Sequence, residues 1–134
     1  IEFGLPVIFR NGYEITANPG WITAKLTSDF ETYAANAGNT LRYRKVGGVV
    51  YLKGVVTPKA TLTGGTDNVT ITTLPDGYRP EIQGNFICQG SGTAIWLCTV
   101  TAAGLVRFAR YRNGSAWADA PNNTWLPIDI SFIV

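Results

Sequence analysis

The chain has 134 residues, of which 46% are hydrophobic and only 15% charged, with a formal net charge of +2. Such a length suits one domain that buries its own core, and so dilute a positive charge gives no basis for nucleic-acid binding, which needs clustered cations. No run approaches the ~18 apolar residues of a membrane-spanning helix, and a start at Ile1 with no methionine anywhere reads as a fragment.

Glycine and proline recur roughly every ten residues, between short runs rich in Val, Ile, Thr and aromatic residues. That spacing is the pattern of an all-β sandwich or barrel. Residues 1–20, punctuated by Pro6, Gly12, Pro19 and Gly20, read as an approach segment with a strand near 5–10, leading into a β body at 21–134. Strands are predicted near 21–26, 41–46, 49–57, 68–74, 83–89, 94–101, 105–112 and 125–133. Between the first two of these, Ser28-x-x-Glu31 has the form of a capping box, and Phe30, Tyr33, Ala34 and Ala37 keep helical spacing. Two turns of helix at 28–37 therefore compete with a loop, which Asn36, Gly38 and Asn39 favour equally.

Gly47-Gly48 reads as a two-residue hairpin turn of the primed kind, with positive φ expected at both glycines. Gly90-Ser91-Gly92 and Ala102-Ala103-Gly104 close two further hairpins, so much of the chain reads as an antiparallel meander. Alternation within the strands is less ordinary. Across 49–56 one face carries Val49, Tyr51, Lys53 and Val55, and the other Val50, Leu52, Gly54 and Val56. The last strand sets Leu126, Ile128, Ile130, Phe132 and Val134 against Trp125, Pro127, Asp129, Ser131 and Ile133. Faces so apolar on both sides fit either an outer surface that meets another subunit or a plain sandwich that tolerates apolar groups outside.

The stretch TLPDGYRP at 73–80 is a corner. Pro75 fixes φ, Asp76-Gly77 supplies turn chemistry, and Pro80 keeps Arg79 extended. Tyr78 and Arg79 exceed what a turn requires. Cys88 and Cys98 flank the Gly-Ser-Gly turn and read as buried free thiols, although a cross-strand bridge is conceivable if the register sets them opposite each other.

Little in the sequence points to catalysis. The chain has no histidine, which removes the commonest general base and zinc ligand, and its cysteines lack C-x-x-C spacing. Its nine carboxylates sit mostly at turn, loop or terminal positions, so no enzyme activity, metal or cofactor is expected. Binding is better provided for. Residues 105–119 gather Arg107, Arg110, Tyr111, Arg112, Asn113, Trp117 and Asp119 on one strand and the loop that leaves it. An aromatic face, guanidinium forks and an acid suit a sugar or a polyol phosphate, but the same residues would also make an ordinary solvated strand face with Trp117 as a lid. Trp96 alternates with Ile95 and Leu97 and reads as core or interface.

Taken in order, LRYRKVGGVVYLKGVV at 41–56, TLPDGYRP at 73–80 and the closing WLPIDISFIV at 125–134 resemble the C-terminal head domains of receptor-binding and tail-fibre proteins from phages of Gram-positive bacteria. The resemblance spans about residues 21–134. It implies a compact antiparallel β-barrel or β-sandwich head, assembled as a homotrimer at a phage tail tip or baseplate of the virion. Such a head binds a host cell-wall saccharide or teichoic-acid-like polymer, with several copies acting together. The first 20 residues would then come from the stalk or shoulder. Pro75, Asp76, Gly77, Tyr78, Arg79 and Pro80 would be scaffold, with Tyr78 a corner aromatic and Arg79 a clamp. Some members of that family bind sugars or glycerol through a cluster containing His, which this chain lacks. The saccharide-binding set Arg110, Tyr111, Arg112, Asn113, Trp117 and Asp119 therefore rests on local chemistry alone. A trimerisation or capping domain without receptor contact, or a polysaccharide depolymerase, are the alternatives.

Overall fold

The computed structural model describes residues 20–134 and, before them, the backbone of two short paired strands, β1 (Val7–Ile8) and β2 (Glu14–Ile15). The stalk-derived role read for residues 1–20 falls otherwise outside the described residues. Ten further strands follow: β3 (Ile22–Thr23), β4 (Phe30–Thr32), β5 (Arg42–Val46), β6 (Val49–Pro58), β7 (Val69–Thr73), β8 (Gly84–Gln89), β9 (Ile95–Val100), β10 (Leu105–Asn113), β11 (Ala116–Trp117) and β12 (Leu126–Ile133).

They form two curled antiparallel sheets. The first runs β12-β6-β5-β3, with β4 pairing the far end of β6. The second runs β11-β10-β9-β8, with β7 also on β10. The all-β expectation holds, and the three hairpins at Gly47-Gly48, 90–94 and 101–105 are present. The meander is broken where β7 crosses to β10 and where β12 returns to lie along β6 from Val49 to Val56.

The sheets join along one side through the chain after β3. Leu26 bridges Thr72, the Thr27 amide donates to Ile71 O at 2.9 Å, and the Thr72 hydroxyl donates to Lys25 O at 2.7 Å. A bulge in β7 makes this possible: Val106 faces Thr72 and Arg107 faces Thr70, so Ile71 is left out of the ladder and its carbonyl is available. On the opposite side the edges of β8 and β12 approach without pairing.

Inside, β6 contributes Val50, Leu52 and Val56, and β12 contributes Leu126, Ile128, Ile130 and Phe132, all buried. From the other sheet, Trp96 stacks on Phe108 at 5.6 Å and Phe108 on Tyr111 at 6.1 Å, with Phe30 reaching Phe108 from across the core at 6.3 Å. Trp96 is a core residue, 1% exposed, and its indole N–H donates to Gln89 O at 2.9 Å, as buried Trp requires. Gly54 is the point of closest approach between neighbours, where a Cβ would collide with the backbone of Leu41. The outer face of the first sheet is mixed. Tyr51, Val46 and Ile133 are exposed and Val49 and Val55 half-buried, whereas Phe132 is enclosed by its own chain.

One open alternative is settled and one local expectation changes. Residues 28–37 form no α-helix: Phe30–Thr32 pair with β6, and only a single 3₁₀ turn follows at Ala35–Ala37, entered through Ala34 at φ 43°. Backbone pairing and burial of Phe30 outweigh a capping box, and the Glu31 carboxylate accepts from Asn122 Nδ2 at 3.0 Å instead. At the β5–β6 turn only Gly47 has positive φ, at 61°, which is the pattern of a II′ turn and not of one with both central residues left-handed. The cysteines are both free and buried. Cys88 faces Trp96 and Cys98 faces Phe86, so the two thiols are diagonal and not opposite.

Candidate functional site

The TLPDGYRP corner satisfies itself. Arg79 Nε donates to Leu74 O at 2.8 Å, and its guanidinium lies 3.0 Å from the Asp76 carboxylate. The Tyr78 ring meets Tyr43 edge-on at 5.1 Å, and Lys45 Nζ sits 5.0 Å over Tyr78 while donating to Gly77 O at 2.8 Å. Burial, with the neighbouring Tyr78, pushes the Tyr43 phenol above its usual range. The Arg79 guanidinium, the polar group that most distinguishes this corner from a plain turn, is spent within the chain.

The outer face of the second sheet is different. Along β10, Ala109 pairs with Leu97 but the next pairing is Arg112 with Ile95, so β10 carries one extra residue and bulges. Arg110 sits in that bulge with φ 55°, a left-handed conformation that a residue with a Cβ seldom adopts and that costs about 1–3 kcal/mol. Its amide, turned out of the ladder, donates to Asp67 Oδ1 at 2.8 Å. Asn68, beside that aspartate, is also left-handed at φ 57°. The consequence is directional. Phe108 and Tyr111 point into the core while Arg110 projects outward, exposed, and no acceptor among the described residues engages its guanidinium.

Two cavities meet at Arg110. One, of about 400 Å³, is polar and lined by Asp67, Asn68, Gln83, Asn85, Thr99 and Arg110, with Leu97 and Ala109 beneath. The other, of about 110 Å³, lies between Arg110 and Arg112 over Ile87, Ile95, Leu97 and the edge of Trp96. Amides, a hydroxyl, a carboxylate and guanidiniums around an aliphatic floor can hydrogen-bond hydroxyl groups in both directions and cover C–H surface. Arg107 extends the face, its Nε donating to Thr99 Oγ1 at 3.3 Å.

A third and larger cavity, about 710 Å³, opens where β8 approaches β12. Its one charged side chain, Asp129, lies 3.7 Å from Lys53. Cys88 lines it and contacts Cys98 behind. The Cys98 thiol hydrogen-bonds to Cys88 and draws the Cys88 pKa below the usual thiol range in spite of burial, while the same bond and burial push Cys98 well above it. Among the described residues, nothing beside Cys88 completes a catalytic arrangement. Among the described residues no cluster of potential metal ligands occurs.

The residues singled out from the sequence separate. Arg110 and Arg112 come together on the outer face, and Arg112 pairs across strands with Trp117, which is 54% exposed. Tyr111 is buried against Phe108. Asn113 accepts from the Thr93 hydroxyl at 2.8 Å, and Asp119 Oδ1 accepts from the Gly64 amide at 2.8 Å, so both brace loops. Asp67, Asn68, Gln83, Asn85, Leu97 and Thr99 are not legible as a group, because they come from the loop before β7, the residue that precedes β8, and two strands, β8 and β9. Asp67 on its own reads as a turn residue.

The sequence matches no known family model and no curated protein. Its fold does have a solved counterpart, the crystal structure of the head domain of lactococcal phage bIL170, described as a receptor-binding domain. The two agree with a TM-score of 0.60 over 87% of this chain and 99% of that one, at 15% sequence identity. The two curled sheets therefore share the fold of that head domain.

Proposed function

We propose that this chain is the receptor-binding head of a phage tail adhesion device and that it binds a host cell-wall saccharide through the Arg110 groove. The observation that carries this reading is the bulge. A strained, outward-facing arginine, anchored through its own backbone amide and with its guanidinium uncommitted, stands at the junction of a polar and an apolar cavity. The fold counterpart described as a receptor-binding domain supports the same role.

Saccharide sites of this kind are shallow and individually weak, and multivalency turns modest affinity into attachment. A homotrimer at the tail tip or baseplate supplies the copies. The exposed Val46, Tyr51, Ile133 and Val134 on and beside the outer face of the first sheet support such an assembly, since subunit contacts would cover them. The head binds without turning its ligand over, so incubation with wall polysaccharide should leave chain length unchanged; shortening would reassign it as a depolymerase.

The test is binding of the isolated head to purified host-wall polysaccharide, alongside sedimentation. Binding that Arg110→Ala abolishes in a normally folded protein supports the reading. Undiminished binding by that variant removes the groove, a stable monomer at micromolar concentration removes the trimer, and a head that assembles fibres but binds no polysaccharide is a capping domain.

A further inference from the structure

We infer that the groove selects sugars bearing a methyl-terminated substituent, an acetamido group foremost, which enters the small cavity between Arg110 and Arg112. This deepens the saccharide reading and rests on it. At about 400 Å³ the polar cavity lies within the ~300–1,000 Å³ range of whole small-molecule sites, whereas its 110 Å³ neighbour lies below it and suits one substituent. The small cavity differs in chemistry as well as size. Ile87 is 77% exposed, pairs directly with Leu97 across the strands, and has Ile95 close by on β9. The outward positions Asn85, Thr99 and Arg107 beside it are polar. A solvated sheet face needs no aliphatic cluster.

The rim adds direction. Arg110 and Arg112 border the apolar floor, and guanidiniums are donors only. An acetamido group matches both parts, its methyl resting on Ile87 and Leu97 and its carbonyl accepting from an arginine. The ring that carries it would lie over Arg110 in the polar cavity, where Asn85, Asn68 and Asp67 can meet its hydroxyls. A deoxy sugar would present a methyl to the same floor but no acceptor to the rim.

The experiment measures how much of each monosaccharide is needed to displace host-wall polysaccharide from the head. N-acetylglucosamine is compared with glucose, and L-fucose with L-galactose. One buried methyl is worth roughly fourfold in affinity, and an added charge-assisted hydrogen bond about tenfold more. N-acetylglucosamine should therefore compete at least about tenfold better than glucose, and Ile87→Ser, at an exposed position, should reduce that ratio by about fourfold, the part that the methyl supplies. Leu97→Ala provides a second reading of the same floor. A preference confined to L-fucose over L-galactose would assign the pocket to a deoxy-sugar methyl and retain the inference. Equal competition within both pairs, or a ratio that survives both substitutions, overturns it and leaves the saccharide reading standing. If Ile87→Ser instead breaks a larger particle into a smaller one by sedimentation, the pocket belongs to a subunit contact and the inference is overturned. A head that binds no polysaccharide overturns the saccharide reading, and this inference with it.

Discussion

Arg79 and Arg110 both sit at irregular points of the backbone, and they are employed in opposite ways. At the corner, the side chain of Arg79 supports the backbone, bonding Leu74 O and Asp76. At the bulge, a side chain from elsewhere supports the backbone of Arg110, since Asp67 holds its amide and the guanidinium is left to face solvent. An arginine spent on its own chain is scaffold. One whose backbone is braced so that its head group stays available is placed for a partner, and the backbone strain it bears has no structural return.

That contrast predicts a split between stability and binding. The largest effect belongs to the corner's packing partner, Gly104, which has φ 87° and where a Cβ would lie 2.5 Å from Leu74 O. Gly104→Ala should cost about 3 kcal/mol in urea denaturation, with polysaccharide affinity of the folded fraction unchanged. Arg79→Ala should cost about 2 kcal/mol by the same measurement, because it leaves Leu74 O without its charged donor. Loss of binding in either variant at temperatures where it is folded would erase the distinction. Arg110→Gly should do the reverse. Relief of the left-handed strain should raise stability by about 1 kcal/mol, while polysaccharide binding weakens by about tenfold or more. A destabilised Arg110→Gly that still binds would make the bulge architectural. The smallest effect serves as a control: Lys53 and Asp129 are both largely exposed, so Lys53→Ala should shift stability by less than about 0.5 kcal/mol and leave binding alone.

How far these features could be read in advance follows from their range along the chain. Period-two alternation and glycine punctuation are local, and they locate β5, β6, β8, β9, β10 and β12 to within a residue or two of their observed ends. The two- and three-residue strands β2, β4 and β11 are too short to alternate, and only pairing defines them, β2 and β11 with the strand just before each and β4 with the distant end of β6. The bulge left no trace because Arg-Phe-Ala-Arg-Tyr-Arg contains no Gly or Asn to mark a left-handed residue. Its brace, Asp67, lies 43 positions earlier. Tyr111 was misleading for the same reason: counting by twos through an extra residue places it outside, whereas the inserted position returns it to the core.

One consequence follows from the brace itself. Asp67 belongs to the irregular stretch between β6 and β7, which meets the body through a few contacts such as the Leu62–Ala120 bridge and the hydrogen bond to Arg110. Exchange of that stretch would re-aim the guanidinium while leaving Trp96, Phe108 and Val50 undisturbed. On the reading proposed above, a shift from one host surface to another would require remodelling a loop and not rebuilding an interior, and the determinants of attachment could drift at a rate the folded body does not limit.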